Sequence, residues 1–173
     1  MNGPEFAITI RPEAAGDEDT IFALTEAAFA DMPFSDADEQ HVITRLRDDG
    51  DLTLSLVAED AERIVGHIAF SPVTITGGAK GWFGLGPVSV WPEFHHRGIG
   101  GALIKRGIAD LRAAGAKGIV LLGSNVYYPR FGFAHVPELT YPGPPPEYFQ
   151  ALLLDGEMPS GEVSYAPGFY PAV

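Results

Sequence analysis

The chain has 173 residues, 46% of them apolar, and no cysteine. It suits one compact domain and excludes disulfide scaffolds, thiolate metal sites and cysteine nucleophiles. Eleven Lys and Arg against 23 Asp and Glu give a net charge of −12, a field that repels nucleic acid and anionic membrane surfaces, so neither is expected as a partner.

The opening residues, Met1 to Asp19, carry neither the basic leader nor the apolar core of an export signal. No apolar run approaches the ~18 residues that span a bilayer. The expectation is a cytoplasmic protein.

Phe6 to Ile10 alternates into a first strand, ending before Arg11-Pro12. Asp17 is placed to cap a helix that carries Ile21, Leu24 and Ala28, with Phe22 and Phe29, at helical spacing as far as about Ala30. Ser35, with Asp38 three residues on, suits the start of a second helix with Val42, Ile43 and Leu46 inward, ending near Gly50. From Leu52 the period drops to two: Leu52, Leu54 and Leu56 form one strand and Ile64 to Phe70 another, joined by a hairpin through Glu59 to Arg63.

Thr76 to Gly81 reads as a turn, and Trp82 to Val90 as a strand that holds Gly84, Gly86 and Pro87. A proline gives no amide hydrogen to a ladder, so Pro87 predicts a bulge, an edge, or a place where neighbouring strands part and leave backbone groups unpaired near residues 86–90. Gly98 to Ala114 carries Ile99, Leu103, Ile104, Ile108 and Leu111 in a helical pattern closed by Gly115. Gly118 to Leu122 is continuously apolar, as in a central strand covered on both faces. Strand, helix and strand therefore form a crossover unit. Beyond Phe133 the chain is rich in proline, with a short Phe149 to Leu154 segment and a final Val163 to Tyr165 strand, without a repeat or an independent domain.

Charge is uneven. Residues 1–87 hold 5 basic and 16 acidic side chains and residues 118–173 hold 1 and 5, whereas residues 88–117 hold 5 and 2. A local cationic run is ordinarily a solvated helix face. Here it coincides with Trp91-Pro-Glu-Phe-His-His-Arg-Gly-Ile-Gly-Gly, a strand passing through a turn into the glycine-rich start of a helix. Unpaired helix amides, the helix dipole and glycines that let an anion approach the backbone make this a phosphate-binding geometry, although glycines that merely permit close packing would read the same. A dinucleotide fingerprint from Gly98 fails at Leu103 and finds no acidic residue in 118–123, and no Gly-Lys-Ser or Gly-Lys-Thr exists. His41, His67 and His135 are too scattered for a metal site, so no metal is expected; His67 reads as a satisfied strand histidine.

His95-His-Arg-Gly-Ile-Gly resembles the pyrophosphate-binding signature of the GNAT superfamily of acetyl-CoA-dependent N-acetyltransferases, with His95 where Gln or Arg is commoner. Leu85-Gly-Pro-Val-Ser-Val-Trp-Pro-Glu and Tyr127-Tyr-Pro-Arg-Phe-Gly-Phe resemble the fourth strand and the Tyr-to-Gly-Phe segment of the same family, in the same order. The resemblance covers residues 6–136 and implies an α/β (α+β) fold: a mixed, mostly antiparallel sheet splayed at the cofactor site, with helices on both faces. Residues 1–173 would form a single domain, with a core of 6–136 and a proline-rich extension over 137–173.

The resemblance also implies roles. Backbone groups of Val88 and Val90 would pair with the pantetheine arm of acetyl-CoA, and the Val90 amide would polarise the thioester carbonyl. His95, His96, Arg97, Gly98, Gly100 and Gly101 would hold the pyrophosphate, Asn125 would approximate the family's Asn contact to the arm, and Tyr128 would protonate the departing thiolate. The implied reaction is direct acetyl transfer in a ternary complex to the primary amine of a small molecule or peptide. A catalytically silent acyl-CoA-binding regulatory module would keep the same loop. No general base stands out: residues 84–90 hold no carboxylate, and Glu26, Asp36, Glu39 and His67 are the candidates. The acceptor, the length of the acyl chain and the oligomeric state, a homodimer included, stay open.

Overall fold

The computed structural model describes residues 8–171. The first strand, β1, runs over Ile8–Pro12, so the expected start at Phe6 and Ala7 lies outside the described residues and the strand continues two residues past Ile10. Helix α1 spans Glu18–Phe29 and buries Ile21, Leu24, Thr25 and Ala28. Asp17 stands at its N-cap without capping it: the carboxylate accepts the Ala14 N–H at 2.7 Å and holds the Arg11 guanidinium, a stronger, charge-assisted partner. Helix α2 spans Glu39–Asp48, with Asp38 rather than Ser35 at its N-cap. Ser35 closes the preceding turn instead, accepting the Ala37 N–H and donating to Glu39.

Strands β2 (Leu54–Asp60) and β3 (Arg63–Pro72) form the expected hairpin. Leu52 falls short of β2 because its N–H donates to Leu46 O and its side chain packs against α2. After a two-residue β4 (Thr74–Ile75) come β5 (Trp82–Val90), α3 (Ile99–Ala113) and β6 (Gly118–Leu122). The end of α3 is a Schellman turn: Gly115, at φ +88°, donates to Arg112 O and Ala116 to Leu111 O.

The tail contributes β7 (Leu139–Thr140), β8 (Phe149–Leu153) and β9 (Gly161–Ser164). A six-stranded sheet has the order β1-β2-β3-β5-β6-β8, antiparallel throughout except for the β5–β6 pair, which the α3 crossover makes parallel. The mixed, mostly antiparallel sheet expected from the resemblance is therefore present. A second, three-stranded sheet, β4-β9-β7, was not foreseen.

Helices cover both faces. On one, Ile99, Leu103, Ile104, Ile108 and Leu111 of α3 pack on Leu56, Ile68 and Phe70. Gly107 brings the helix down onto the sheet: a Cβ there would lie 2.3 Å from the Phe70 ring. On the other face, Ile21 and Leu24 of α1 and Ile43 of α2 pack on Val57 and Ile64. Each such buried aliphatic side chain is worth about 1.5–3 kcal/mol over its exposed state, so the two helical layers hold the sheet rigid beneath whatever the sheet's open end binds.

Candidate functional site

The sheet opens between β5 and β6. Among the described residues, the parallel ladder joins Trp82, Phe83 and Gly84 to Gly118, Ile119 and Val120 and then stops, although β5 continues to Val90. The cause is local. Opposite β5, the β3 register passes from Ile68↔Val88 to Phe70↔Leu85, so β5 carries one extra residue at Gly86-Pro87, where Gly86 has φ +134° and Pro87 has no N–H. The expected irregularity at Pro87 is a bulge, and β5 leaves β6 at Gly84, just ahead of it.

The part of β5 past the bulge is bonded on one side. Trp91 N–H donates to Val65 O at 3.0 Å, and the antiparallel alternation back from there turns the peptide groups of Ser89 towards β3 and those of Val88 and Val90 away from it. The Val90 carbonyl accepts from His95 Nε2 at 2.9 Å, consistent with that outward direction. Val88 and Val90 thus present main-chain groups to the opening, as the sequence led us to expect, with His95 bridging back to the same strand.

From β5 the chain makes a single 3-10 turn at Pro92–Phe94 and enters α3 through Gly98, at φ +78° in the left-handed region, with nothing within 4 Å of where a Cβ would stand. His96 also has a positive φ, +62°, an unusual conformation for a residue with a side chain. The first intrahelical bond runs from Ala102 N–H to Gly98 O, so the amides of Ile99, Gly100 and Gly101 have no acceptor within the helix. Their dipoles, together with Arg97 and Lys105, concentrate positive charge at one end of an otherwise acidic chain.

These pieces bound a cleft of about 900 Å³. Val88, Val90, His95, His96, Gly98, Gly100 and Gly101 all line it. Arg97 lies at its rim, exposed, with its guanidinium 5.0 Å from the Phe94 ring. Asn125 is exposed in the turn after β6, where Ser124 Oγ, not Asn125, accepts the N–H groups of Val126 and Tyr127, and it is not part of the cleft wall.

The wall opposite α3 is aromatic. A single 3-10 turn spans Tyr128–Phe131. Tyr127 faces the cleft, its hydroxyl 3.8 Å from the Cβ position of Gly101, and Arg130 lies 4.4 Å above the Tyr127 ring. Tyr128 stands behind it, ring to ring with Tyr127 at 5.1 Å and Phe133 at 6.2 Å, and burial pushes its phenol up to about 12. Sequence reasoning missed Tyr127, Phe131 and Arg130 as wall residues; Arg130, the single basic residue beyond Lys117, was the available signal.

Glu26, Asp36 and Glu39 do not reach the cleft wall; the Glu39 carboxylate takes the Ser35 hydroxyl, and Glu26 lies 3.5 Å from Gln40 Nε2. His67 departs from the satisfied strand histidine expected. It is fully buried on β3 with Nε2 2.7 Å from Ser55 Oγ, yet Nδ1 has no hydrogen-bond partner among the described residues. Burial, reinforced by the nearby Arg47 charge, pushes its imidazolium down to about 3, so the ring is neutral at ordinary pH. Among the described residues no group of three or more His, Asp or Glu is placed to hold a metal ion, and no helix is long and apolar enough to cross a membrane.

Comparison with known proteins agrees with this geometry. The acetyltransferase (GNAT) domain pattern matches residues 9–136. The Escherichia coli K12 protein YhbS, described as an uncharacterized N-acetyltransferase, is 38% identical over 125 residues, 72% of each chain. A GNAT family acetyltransferase from Brucella melitensis, solved in complex with acetyl-CoA, is 47% identical and superposes with a TM-score of 0.85 over 95% of this chain and 99% of its own. The crystal structure of E. coli YhbS, in complex with CoA, gives a TM-score of 0.88 at 30% identity over 99% of this chain and 96% of its own.

Proposed function

The chain belongs to the GNAT acetyltransferase family, and we propose that it moves an acetyl group from acetyl-CoA directly to a primary amine. The observation that carries the reading is the continuity of the site: an open strand edge at Val88 and Val90 leads within ten residues into a helix start whose first amides lack partners. An arm with amide groups fits the first and a diphosphate fits the second, and a cleft of about 900 Å³ joins them. Bound there, acetyl-CoA supplies an activated thioester.

The chain's own residues do the rest. The main chain of Val88 and Val90 acts as a strand that accepts one more strand beside it. Gly98, Gly100 and Gly101 keep Cβ atoms out of the path of the phosphates, while the adjoining amides, His96 and Arg97 bond them. His95 holds the Val90 carbonyl and so steadies residue 90, whose own N–H, in the preceding peptide group, donates to the thioester oxygen as negative charge builds there. Asn125 lies off the cleft wall on the turn after β6, so any bond it makes is to a part of the arm that leaves the cleft.

In this reading Tyr128, which stands behind Tyr127 and off the cleft wall of the unliganded protein, keeps its proton throughout the working pH range because burial raises it, and gives that proton to the sulfur once the arm seats between β5 and β6. Direct transfer in a ternary complex suits a chain without cysteine. The tail, 137–173, belongs to the same catalytic unit in this reading, since β8 flanks β6. The acceptor is a small-molecule or peptide amine met in the cytoplasm, drawn by the acidic first half of the chain.

The test is thiol release from acetyl-CoA in the presence of a panel of primary amines, with mass-spectrometric detection of the acetylated product. Amine-dependent, saturable release is expected. Stoichiometric binding of acetyl-CoA with no turnover on any amine would assign the chain a binding role instead.

A further inference from the structure

The proposed reaction needs somewhere to put the proton of the incoming ammonium ion, and no carboxylate among the described residues lines the cleft. A buried polar path starts at its wall. Ser89, between the two outward-facing valines, lines the cleft, is 2% exposed, and its Oγ has no partner among the described residues. Directly across the β3–β5 ladder, on the same face of the sheet, stands His67, whose Nδ1 is likewise buried without a partner.

The other side of the imidazole is engaged. Ser55 Oγ lies 2.7 Å from His67 Nε2 and 3.1 Å from Glu13 Oε1. A serine hydroxyl has one proton and a carboxylate can only accept, so Ser55 donates to Glu13 and His67 Nε2–H must donate to Ser55. That fixes the tautomer: Nδ1 carries the lone pair. Arg47 grips Glu13 through two bonds, Nε to Oε2 at 3.1 Å and Nη2 to Oε1 at 2.6 Å, and Glu13, Ser55 and Arg47 line a second, shallow pocket of about 310 Å³ on the far side of β2. The charged groups near His67 are thus Arg47 from α2 and Glu13 from the β1–α1 connection, while α1 brings the apolar Ile21, Leu24 and Ala28 and the hydroxyl of Thr25, which donates to Ile21 O.

We infer that Ser89, His67, Ser55 and Glu13 form a proton relay that deprotonates the acceptor amine, carrying its proton from the cleft through the sheet to the Glu13 carboxylate. The relay calls for a single water between Ser89 Oγ and His67 Nδ1, the two buried atoms without partners. The ammonium N–H bond breaks and its proton passes to Ser89 Oγ, Ser89 passes its own proton to that water, and the water passes one of its own to Nδ1. Nε2–H passes its own proton to Ser55 Oγ, and Ser55 passes its own to Glu13. R–NH3⁺ and Glu13–COO⁻ become R–NH2 and Glu13–COOH. After the product leaves, the hops run back and the proton is lost to water in the cleft, which restores the starting tautomer. His67, Ser55 and Glu13 are positioning residues that act through Ser89 and its water. The relay rests on the acetyl-transfer reading.

The test compares two amines of nearly equal size. Ethylamine arrives protonated at neutral pH and needs the relay, whereas 2,2,2-trifluoroethylamine arrives neutral and does not. In Glu13→Gln and Ser55→Ala, kcat/KM for ethylamine should fall about a hundredfold and its pH profile should move to higher pH, with trifluoroethylamine unchanged within about twofold. Ser55→Thr, which restores the hydroxyl, should recover most of the ethylamine rate. Nitrogen-15 NMR of histidine-labelled protein should show His67 protonated at Nε2, assigned by loss of the signal in His67→Gln. Equal losses for both amines, no loss for either, or an Nδ1–H tautomer would overturn the relay while leaving acetyl transfer standing. Wild-type protein that releases no thiol with either amine would sink the acetyl-transfer reading and the relay together.

Discussion

Strand β6 has two flanks, and they behave oppositely. Towards β8 it is paired along its whole length, from Gly118↔Leu153 to Leu122↔Phe149. Towards β5 the pairing ends at Val120. Since one strand makes both edges, its own sequence cannot be the reason for the opening; the extra residue at Gly86-Pro87 in β5 is. The fold therefore confines its irregularity to the strand that also bears the binding groups and leaves the other flank closed.

Substitutions on the two flanks should separate binding from stability. The largest effect belongs to the open side: Gly101→Val pushes a branched side chain towards Tyr127 and Phe131 across the unpaired amides of α3. Losing two charge-assisted bonds of about 2 kcal/mol each predicts about a thousandfold weaker binding of CoA by calorimetry, with the melting temperature little changed. On the closed side, Phe149→Ala deletes a buried ring of β8 and should cost about 3 kcal/mol or more in chemical denaturation while leaving the CoA dissociation constant within about twofold. If both changes damaged binding equally, the division between flanks would fail.

The remaining substitutions sharpen the picture of the open side. Tyr128→Phe should lower kcat about a hundredfold and leave CoA affinity unchanged, whereas Tyr127→Phe, at the cleft surface, should spare turnover more. The reverse order would move the acid role to Tyr127. Arg97→Ala is the mildest: an exposed charge is worth about 1 kcal/mol, so CoA should bind about fivefold more weakly, with the difference shrinking as salt is raised.

What the sequence made legible follows the same division. The boundaries of α3 and β6 could be read because Gly98 and Gly115 act locally, each at a helix end that needs a left-handed residue. Pro87 announced the opening because its missing N–H is a property of that residue alone. A strand at Val163 is legible and overlaps β9, but the pairing of the β4-β9-β7 sheet is not: its strands are two to four residues long and join Ile75 to Val163, a contact no local pattern encodes. Asp17 was misread because its competing partner, Arg11, belongs to a strand six residues earlier. The wall residue Tyr127 was passed over for its neighbour Tyr128 because adjacent residues of a 3-10 turn point about a third of a turn apart, and only the fold decides which of them meets the cleft. The unpartnered Nδ1 of His67 depends on Ser55 and Glu13, 12 and 54 residues away.

Amide hydrogen exchange at Val88 and Val90, measured residue by residue with and without saturating CoA, reads the opening itself. With the edge as described, both amides exchange quickly in the unliganded protein and slow at least about tenfold when CoA is added, while the β6 amides of Ile119 and Leu121, which point to β8, are slow in both states. Val88 and Val90 amides that are already protected without CoA, or that keep the same rate when it is bound, would contradict the strand-addition site on which the function rests.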